Sequence, residues 1–158
     1  MARTPVKSVK ASEVEMTELV LPNDTNQLGN LLGGRLMHWI DIAAAIAASR
    51  HTGRVCVTAS VDELNFHHPV RQGEVVVLRA AVNRVYTTSL EVGVHVSAEN
   101  TLTGGRTHTN TAYLTFVAID ERGTPVPVPP VKPVTAEEQR RFQDAGRRRE
   151  IRLRNRRR

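Results

Sequence analysis

The sequence predicts an α+β fold in which one apolar helix lies against a single long antiparallel sheet. Three observations predict it. The segment from Leu36 to Ser49 is rich in helix formers, contains five alanines and is apolar nearly all round. After Gly53 the apolar period changes from helical to two. Long strand patterns then follow one another with only short links between them.

Length and composition agree with one domain. The chain has 158 residues, 40% of them hydrophobic and 24% charged, which excludes a disordered or collagen-like chain. The longest unbroken apolar run, Ile42 to Ala48, is far short of the roughly 20 residues that span a bilayer. No signal-peptide pattern opens the sequence, and Cys56 is its one cysteine. A reducing cytoplasm is the expected location, with no membrane association.

The net charge of +6 is concentrated in one place. Residues 140–158 hold ten arginines against Asp144 and Glu150, a balance of +8, so the rest of the chain carries −2. With Phe142 as its only aromatic residue, this segment lacks the stacking platforms of a single-strand binder, and nucleic acid is not the expected partner. A solvated, partly helical basic tail is the expectation; attraction to polyanions such as RNA, or to the phosphates of a cofactor, is the alternative.

In chain order, residues 1–13 read as a flexible lead-in and Val14–Leu21 as a first strand. Pro22-Asn23-Asp24-Thr25-Asn26 is dense in turn residues. Gly33-Gly34 opens the helix, and Gly53 suits its C-cap. Val55, Val57, Ala59 and Val61 begin the alternating patterns. The clearest is Leu90, Val92, Val94, Val96 and Ala98 against Glu91, Gly93, His95, Ser97 and Glu99. Residues 106–119 form a further strand pattern. The links Arg71-Gln72-Gly73, Thr87-Thr88 and Asn100–Gly105 suggest long hairpins. Five prolines between Pro125 and Pro133 end the sheet, and Thr135 with Glu138 forms a capping box that opens a basic C-terminal helix. The expected organisation is therefore 1–13, a folded body over 14–134, and an arginine-rich segment over 135–158. A helix apolar on every side needs more cover than one flat sheet provides; a curled sheet and a second copy of the chain would supply it.

Asp41 is the most informative residue. It shares the segment from Leu36 to Ala48 with only one other ionisable group, His38, three residues earlier. An unpaired carboxylate in such a helix costs several kcal/mol, so it implies a partner or a task. The residues alone leave both open: a catalytic acid, or an interface acid paired to an arginine. Asn26 reads as turn chemistry or as an amide that holds a water or a carbonyl. Gly33-Gly34 reads as a turn into the helix or as a backbone that a ligand approaches closely. Free N–H groups at a helix start suit an oxyanion. The adjacent pair His67-His68 lacks metal-ligand spacing, no serine sits in a hydrolase elbow and no phosphate loop is present, so neither a metal nor a bound cofactor is expected.

Four segments in order resemble the acyl-CoA thioesterases of the hotdog superfamily, in the branch of the brain-type acyl-CoA hydrolases and their bacterial short-chain relatives. They are Pro22-Asn23-Asp24-Thr25-Asn26-Gln27-Leu28-Gly29-Asn30-Leu31-Leu32-Gly33-Gly34 with Asp41 beyond it; Val61 to Gly73 with Phe66 and Pro69; Val85-Tyr86-Thr87-Thr88-Ser89-Leu90-Glu91-Val92; and Ala112 to Asp120. Together they cover about residues 14–135. Leu32 and Leu90 depart from common family choices; the first bears on substrate preference, not on the reaction. The resemblance implies a hotdog fold, a long antiparallel sheet wrapped around a central helix. It implies hydrolysis of acyl-CoA to a free acid and CoA. It places the family's essential acid on Asp41 and its loop amide on Asn26, contributed by different subunits of a homodimer, with trimers of dimers as the expected assembly. In that reading Asp41 activates water or attacks directly as a nucleophile, Asn26 orients the water or polarises the carbonyl, and backbone N–H groups at Gly33 and Gly34 meet the oxyanion. Arg71, Arg84, Thr88 and Ser89 become candidates for the CoA phosphates. The alternatives are an acyl-CoA or acyl-carrier sensor without turnover, and polyanion binding through the arginine segment.

Overall fold

The computed structural model describes residues 5–157. Strand β1 (Lys7–Ser8) leads through a 3-10 turn at Val9–Ser12 into β2 (Val14–Leu19). A loop follows, then helix α1 (Gly33–Thr52), β3 (Val55–Val61), β4 (Val75–Val85), β5 (Ser89–Glu99), β6 (Arg106–Ile119), β7 (Val131–Lys132) and helix α2 (Ala136–Arg156). Five strands make one antiparallel sheet in the order β2-β4-β5-β6-β3, and α1 contacts every one of them. The sheet is therefore wrapped around the helix, as the resemblance implies.

Sequence alternation sets the inner face. Leu90, Val92, Val94 and Val96 of β5 are fully buried, with Leu78 and Val82 of β4 and Leu114, Phe116 and Ala118 of β6. They form one core with Ile40, Ala43, Ala44, Ala47 and Ala48 of α1. The alanines let the helix backbone approach the sheet closely. Each fully buried large side chain stabilises by roughly 1.5–3 kcal/mol. Gly53 ends α1 in the left-handed conformation at φ 66° and donates to Ser49 O, the C-cap its position predicts.

Three expectations need correction. First, β3 and β4 do not form a hairpin at Arg71-Gln72-Gly73. β4 is flanked by β2 and β5, so β3 runs along β6 at the far edge and residues 62–74 cross over. The hairpins at Thr87-Thr88 and Asn100–Gly105 do form. Second, Lys7–Ser12 is not a free lead-in. β1 pairs in parallel with β7, Val9 is buried, and the buried Ser12 hydroxyl accepts from Val82 N at 3.0 Å. The part of that expectation on residues 1–4 lies outside the described residues.

Third, the arginine segment is not a solvated tail. Thr135 caps α2 by accepting from Glu138 N, and Glu138 accepts from Val134 N. The helix packs against β4 and is held to the sheet by its arginines. Arg148 makes a bidentate pair with Glu91 at 2.8 and 2.9 Å, and Asn83 Nδ2 donates to the same carboxylate at 3.0 Å. Glu91 is fully buried. Arg152 binds Asp62 at 2.9 Å, Arg148 stacks on Tyr113, and Arg149 stacks on Tyr86 with its guanidinium carbon 3.8 Å from the ring centre. The reason is strand alternation: β5 turns Leu90 and Val92 inward and Glu91 outward, so burying Glu91 requires a cation on the outer face.

Candidate active site

Asp41 lies two turns into α1 and is half-buried. Its Oδ1 accepts a 2.7 Å hydrogen bond from Thr58 Oγ1 of β3. Among the described residues no arginine pairs with it, and His38, which the helical spacing offered as a partner, makes no bond to it. Beside Asp41 the helix is uncovered. Ile42 and Ile46 are exposed, and Val55, Val57 and Val61 of β3 are exposed along the sheet edge. An open edge strand with apolar side chains is a pairing surface. A register shift between Thr58 and Ser60 interrupts the ladder beside the acid, a bulge position that re-aims side chains.

The Asn26 loop resolves the two readings of that residue into two ends of one side chain. Asn26 Oδ1 accepts from Leu28 N at 2.9 Å and Asn30 N at 3.1 Å, which is turn chemistry. Its Nδ2 bonds nothing among the described residues and sits on an exposed side chain, free to donate. Buried Asp24 ties the loop to α1. Its carboxylate accepts from Leu21 N and pairs with Arg35 at 3.1 Å, while its carbonyl accepts from Leu32 N.

The helix start is uncapped by any side chain. The first N–H groups of an α-helix have no intrahelical acceptor, so those of Gly33 and Gly34 are available. A Cβ on Gly33 would meet the Phe66 ring at 3.5 Å, whereas one on Gly34 would meet nothing within 4 Å. Gly34 thus borders open space at the positive end of the helix dipole.

The remaining candidates divide. Arg71 is exposed, bridged through its backbone to Asn30 of the Asn26 loop. Arg84 is occupied: its guanidinium lies 4.1 Å from the Phe142 ring centre and donates to Phe142 O at 3.2 Å. Thr88 and Ser89 line a cavity of about 210 Å³ with residues of β3, β6 and α2. A larger cavity of about 780 Å³ lies elsewhere, between the outer face of the sheet and α2, lined by charges of both signs and not by Asp41. Sequence reasoning missed Thr58. It reads there as one polar residue in an alternating strand, and only the packing of β3 against α1 brings it to Asp41. Cys56 is half-buried beside Thr52, and burial pushes its thiol up, away from reactivity.

A curled antiparallel sheet around one helix, with an acid on that helix facing an open seam, is a hotdog arrangement. Comparison with known proteins agrees. The profile of the Thioesterase superfamily matches residues 28–104. An uncharacterised acyl-CoA thioester hydrolase of Bacillus subtilis, YkhA, is 48% identical over 129 residues, 82% of this chain and 75% of that protein. The crystal structure of an apo-hexameric acyl-CoA thioesterase superposes with a TM-score of 0.91 at 42% identity, over 95% of this chain and 97% of the other. An acyl-CoA hydrolase of Staphylococcus aureus, solved with butyryl-CoA, CoA and CoA disulfide, superposes with a TM-score of 0.90 at 36% identity, over 96% and 93%. Variants of that enzyme with one aspartate, one threonine or one asparagine replaced by alanine superpose as well. The chain belongs to the hotdog-fold acyl-CoA thioesterases of the Thioesterase superfamily.

Proposed function

We propose that the chain hydrolyses acyl-CoA at sites that each combine Asn26 of one subunit with Asp41 of its partner. The observation that carries the reading is the Asp41–Thr58 bond at the uncovered seam of α1 and β3. The fixed carboxylate oxygen leaves the other free to take a proton from water. The water oxygen then attacks the thioester carbon. Negative charge develops on the carbonyl oxygen, where the Gly33 and Gly34 N–H groups and Asn26 Nδ2 can donate. The C–S bond breaks, the thiolate of CoA leaves, and the proton held by Asp41 returns to it or to solvent. A thiolate is a good leaving group, so the step as written needs no metal or bound cofactor.

Two further observations support this. The three residue types replaced in the Staphylococcus aureus variants stand at the same sequence intervals as Asn26, Asp41 and Thr58 here. The exposed Ile42, Ile46 and β3 edge require a second copy to be covered, which would bring a partner's loop toward Asp41. A trimer of such dimers is the assembly we infer, by analogy with the similar hexameric thioesterase, and the cytoplasm the location.

Free-thiol release from acyl-CoAs of graded chain length tests the reading. Turnover by the wild type, lost in folded Asp41→Asn and Asn26→Ala variants, is the expected result. Acyl-CoA bound without turnover would make the protein a sensor instead. Turnover untouched by Asp41→Asn would keep the reaction and refute the mechanism.

A further inference from the structure

The loop that carries Asn26 is held to the start of α1 by a buried charge. Asp24, in the short turn Pro22–Asp24, is 7% exposed. Its Oδ2 accepts from Leu21 N at 2.9 Å, and its Oδ1 lies 3.1 Å from Arg35 Nε. Its carbonyl accepts from Leu32 N at 2.8 Å. Leu32 directly precedes Gly33 and Arg35 directly follows Gly34, so the contacts of Asp24 bracket the glycine pair. Asn26 stands two residues beyond Asp24 on the other side. The turn itself does not require an acid, since an asparagine oxygen would accept from Leu21 N as well. A buried carboxylate costs free energy that an amide does not. The charge at this position therefore answers to Arg35 and not to the turn.

We propose that Asp24 and Arg35 are positioning residues for the carbonyl-binding donors, Asn26 Nδ2 and the N–H groups of Gly33 and Gly34, an inference that rests on the hydrolase reading. Two effects combine. The first is geometric. Those donors come from two segments, a loop and a helix start, and the bonds of Asp24 to Leu21, Leu32 and Arg35 hold the two in one arrangement. A donor stabilises the oxyanion only while it is aimed where that oxygen will be. The second is electrostatic. An unpaired carboxylate beside the helix start would oppose the positive end of the helix dipole and the negative charge that builds on the carbonyl oxygen. Arg35 neutralises it. Neither side chain touches the substrate in this account; both act through the donors. The oxyanion charge exists only in the transition state, so the effect belongs to kcat and not to KM.

The test measures kcat and KM for thiol release from acyl-CoA, with the denaturant unfolding midpoint, in Asp24→Asn, Arg35→Met, Arg35→Lys and the combination of Asp24→Asn with Arg35→Met. Arg35→Met leaves the carboxylate unpaired and should lower kcat by about tenfold, with KM within about twofold of the wild type. Asp24→Asn keeps the acceptor for Leu21 N and should lower kcat by about three- to fivefold. Adding Asp24→Asn to Arg35→Met should raise kcat back to the level of Asp24→Asn alone, because the orphaned charge is gone. Arg35→Lys keeps the charge and should rescue most of the loss seen in Arg35→Met. A merely structural pair would move the unfolding midpoints and leave kcat of the folded protein unchanged. That outcome, or losses in kcat that multiply in the combined variant, overturns the proposal while wild-type turnover stands. Should Arg35→Met fail to fold, Asp24→Asn decides: a lower kcat at unmoved KM supports the proposal and an unchanged kcat overturns it. A wild type without turnover refutes the hydrolase reading and the proposal with it.

Discussion

Thr58 of β3 donates to Asp41 Oδ1 of α1 across 2.7 Å, joining the sheet edge to the one carboxylate of the central helix. The bond fixes one oxygen and leaves the acid facing the uncovered seam.

Replacing Asp41 by Asn keeps the shape and removes the proposed base. Thiol release should fall by about 100-fold or more, the range that general-base groups contribute. Thr58→Ala removes only the bond that aims the base. A hydrogen bond to a charged group is worth about 1.5–3 kcal/mol, so a loss on the order of tenfold is expected, in kcat and not in KM. Steady-state kinetics on both variants checks the ranking; an equal or larger loss from Thr58→Ala would show that Asp41 is not the base.

Gly34→Ala should separate catalysis from stability. The added Cβ meets nothing within 4 Å in the chain, so the free energy of unfolding should change by less than about 0.5 kcal/mol. In the proposed site the same methyl would stand where the thioester carbonyl approaches the helix start, and kcat/KM should drop by about tenfold or more. Gly93→Ala behaves in the opposite way. Its Cβ would fall 2.7 Å from Asn83 Nδ2, which is committed to Glu91. Denaturant unfolding should show a loss of about 1–3 kcal/mol.

The α2 clamp has a directional signature. Arg148→Met leaves buried Glu91 without its bidentate partner and should cost about 3–5 kcal/mol in denaturant unfolding. Combining it with Glu91→Leu removes the orphaned charge and should recover much of that loss. A double variant as unstable as the sum of the singles would mean that the pair does not act as a unit.

Acid should weaken the fold through His51. Burial lowers its pKa most strongly; the Pro129 carbonyl it binds at 2.7 Å raises it, and Lys7 lowers it. The neutral ring donating from Nε2 fits the buried Nδ1, which has no partner among the described residues. A His pKa lower in the folded than in the unfolded chain means that the unfolded chain takes up the proton first. The stability from His51 is complete above its ordinary value of about 6.5 and is lost as pH falls through the lowered folded value. Unfolding measured from pH 7.5 to 5 should show this decline, and His51→Gln, which does not titrate, should flatten it.

Local features of the chain were legible where they depend on neighbours in sequence. The alanine-rich α1, its lone acid Asp41, the Gly53 cap and the β4–β5 and β5–β6 hairpins all follow from short-range patterns. Features set by sheet order were not. Thr58 meets Asp41 only because β3 leaves α1 to pair with β6. Arg148 meets Glu91 from 57 residues away, so arginines that resemble a solvated tail become clamps and a cavity wall. Asn26 was legible as a residue but not as two ends with separate tasks, because that depends on which backbone N–H groups its oxygen caps.

The composite site is tested most directly by mixing two inactive variants. Asn26→Ala and Asp41→Asn chains, unfolded together and refolded, pair at random. If each site takes Asn26 from one chain and Asp41 from its partner, half of the dimers contain one intact site, and about a quarter of wild-type thiol release returns. If both residues act within one chain, every site carries a defect and the mixture stays as inactive as either variant alone.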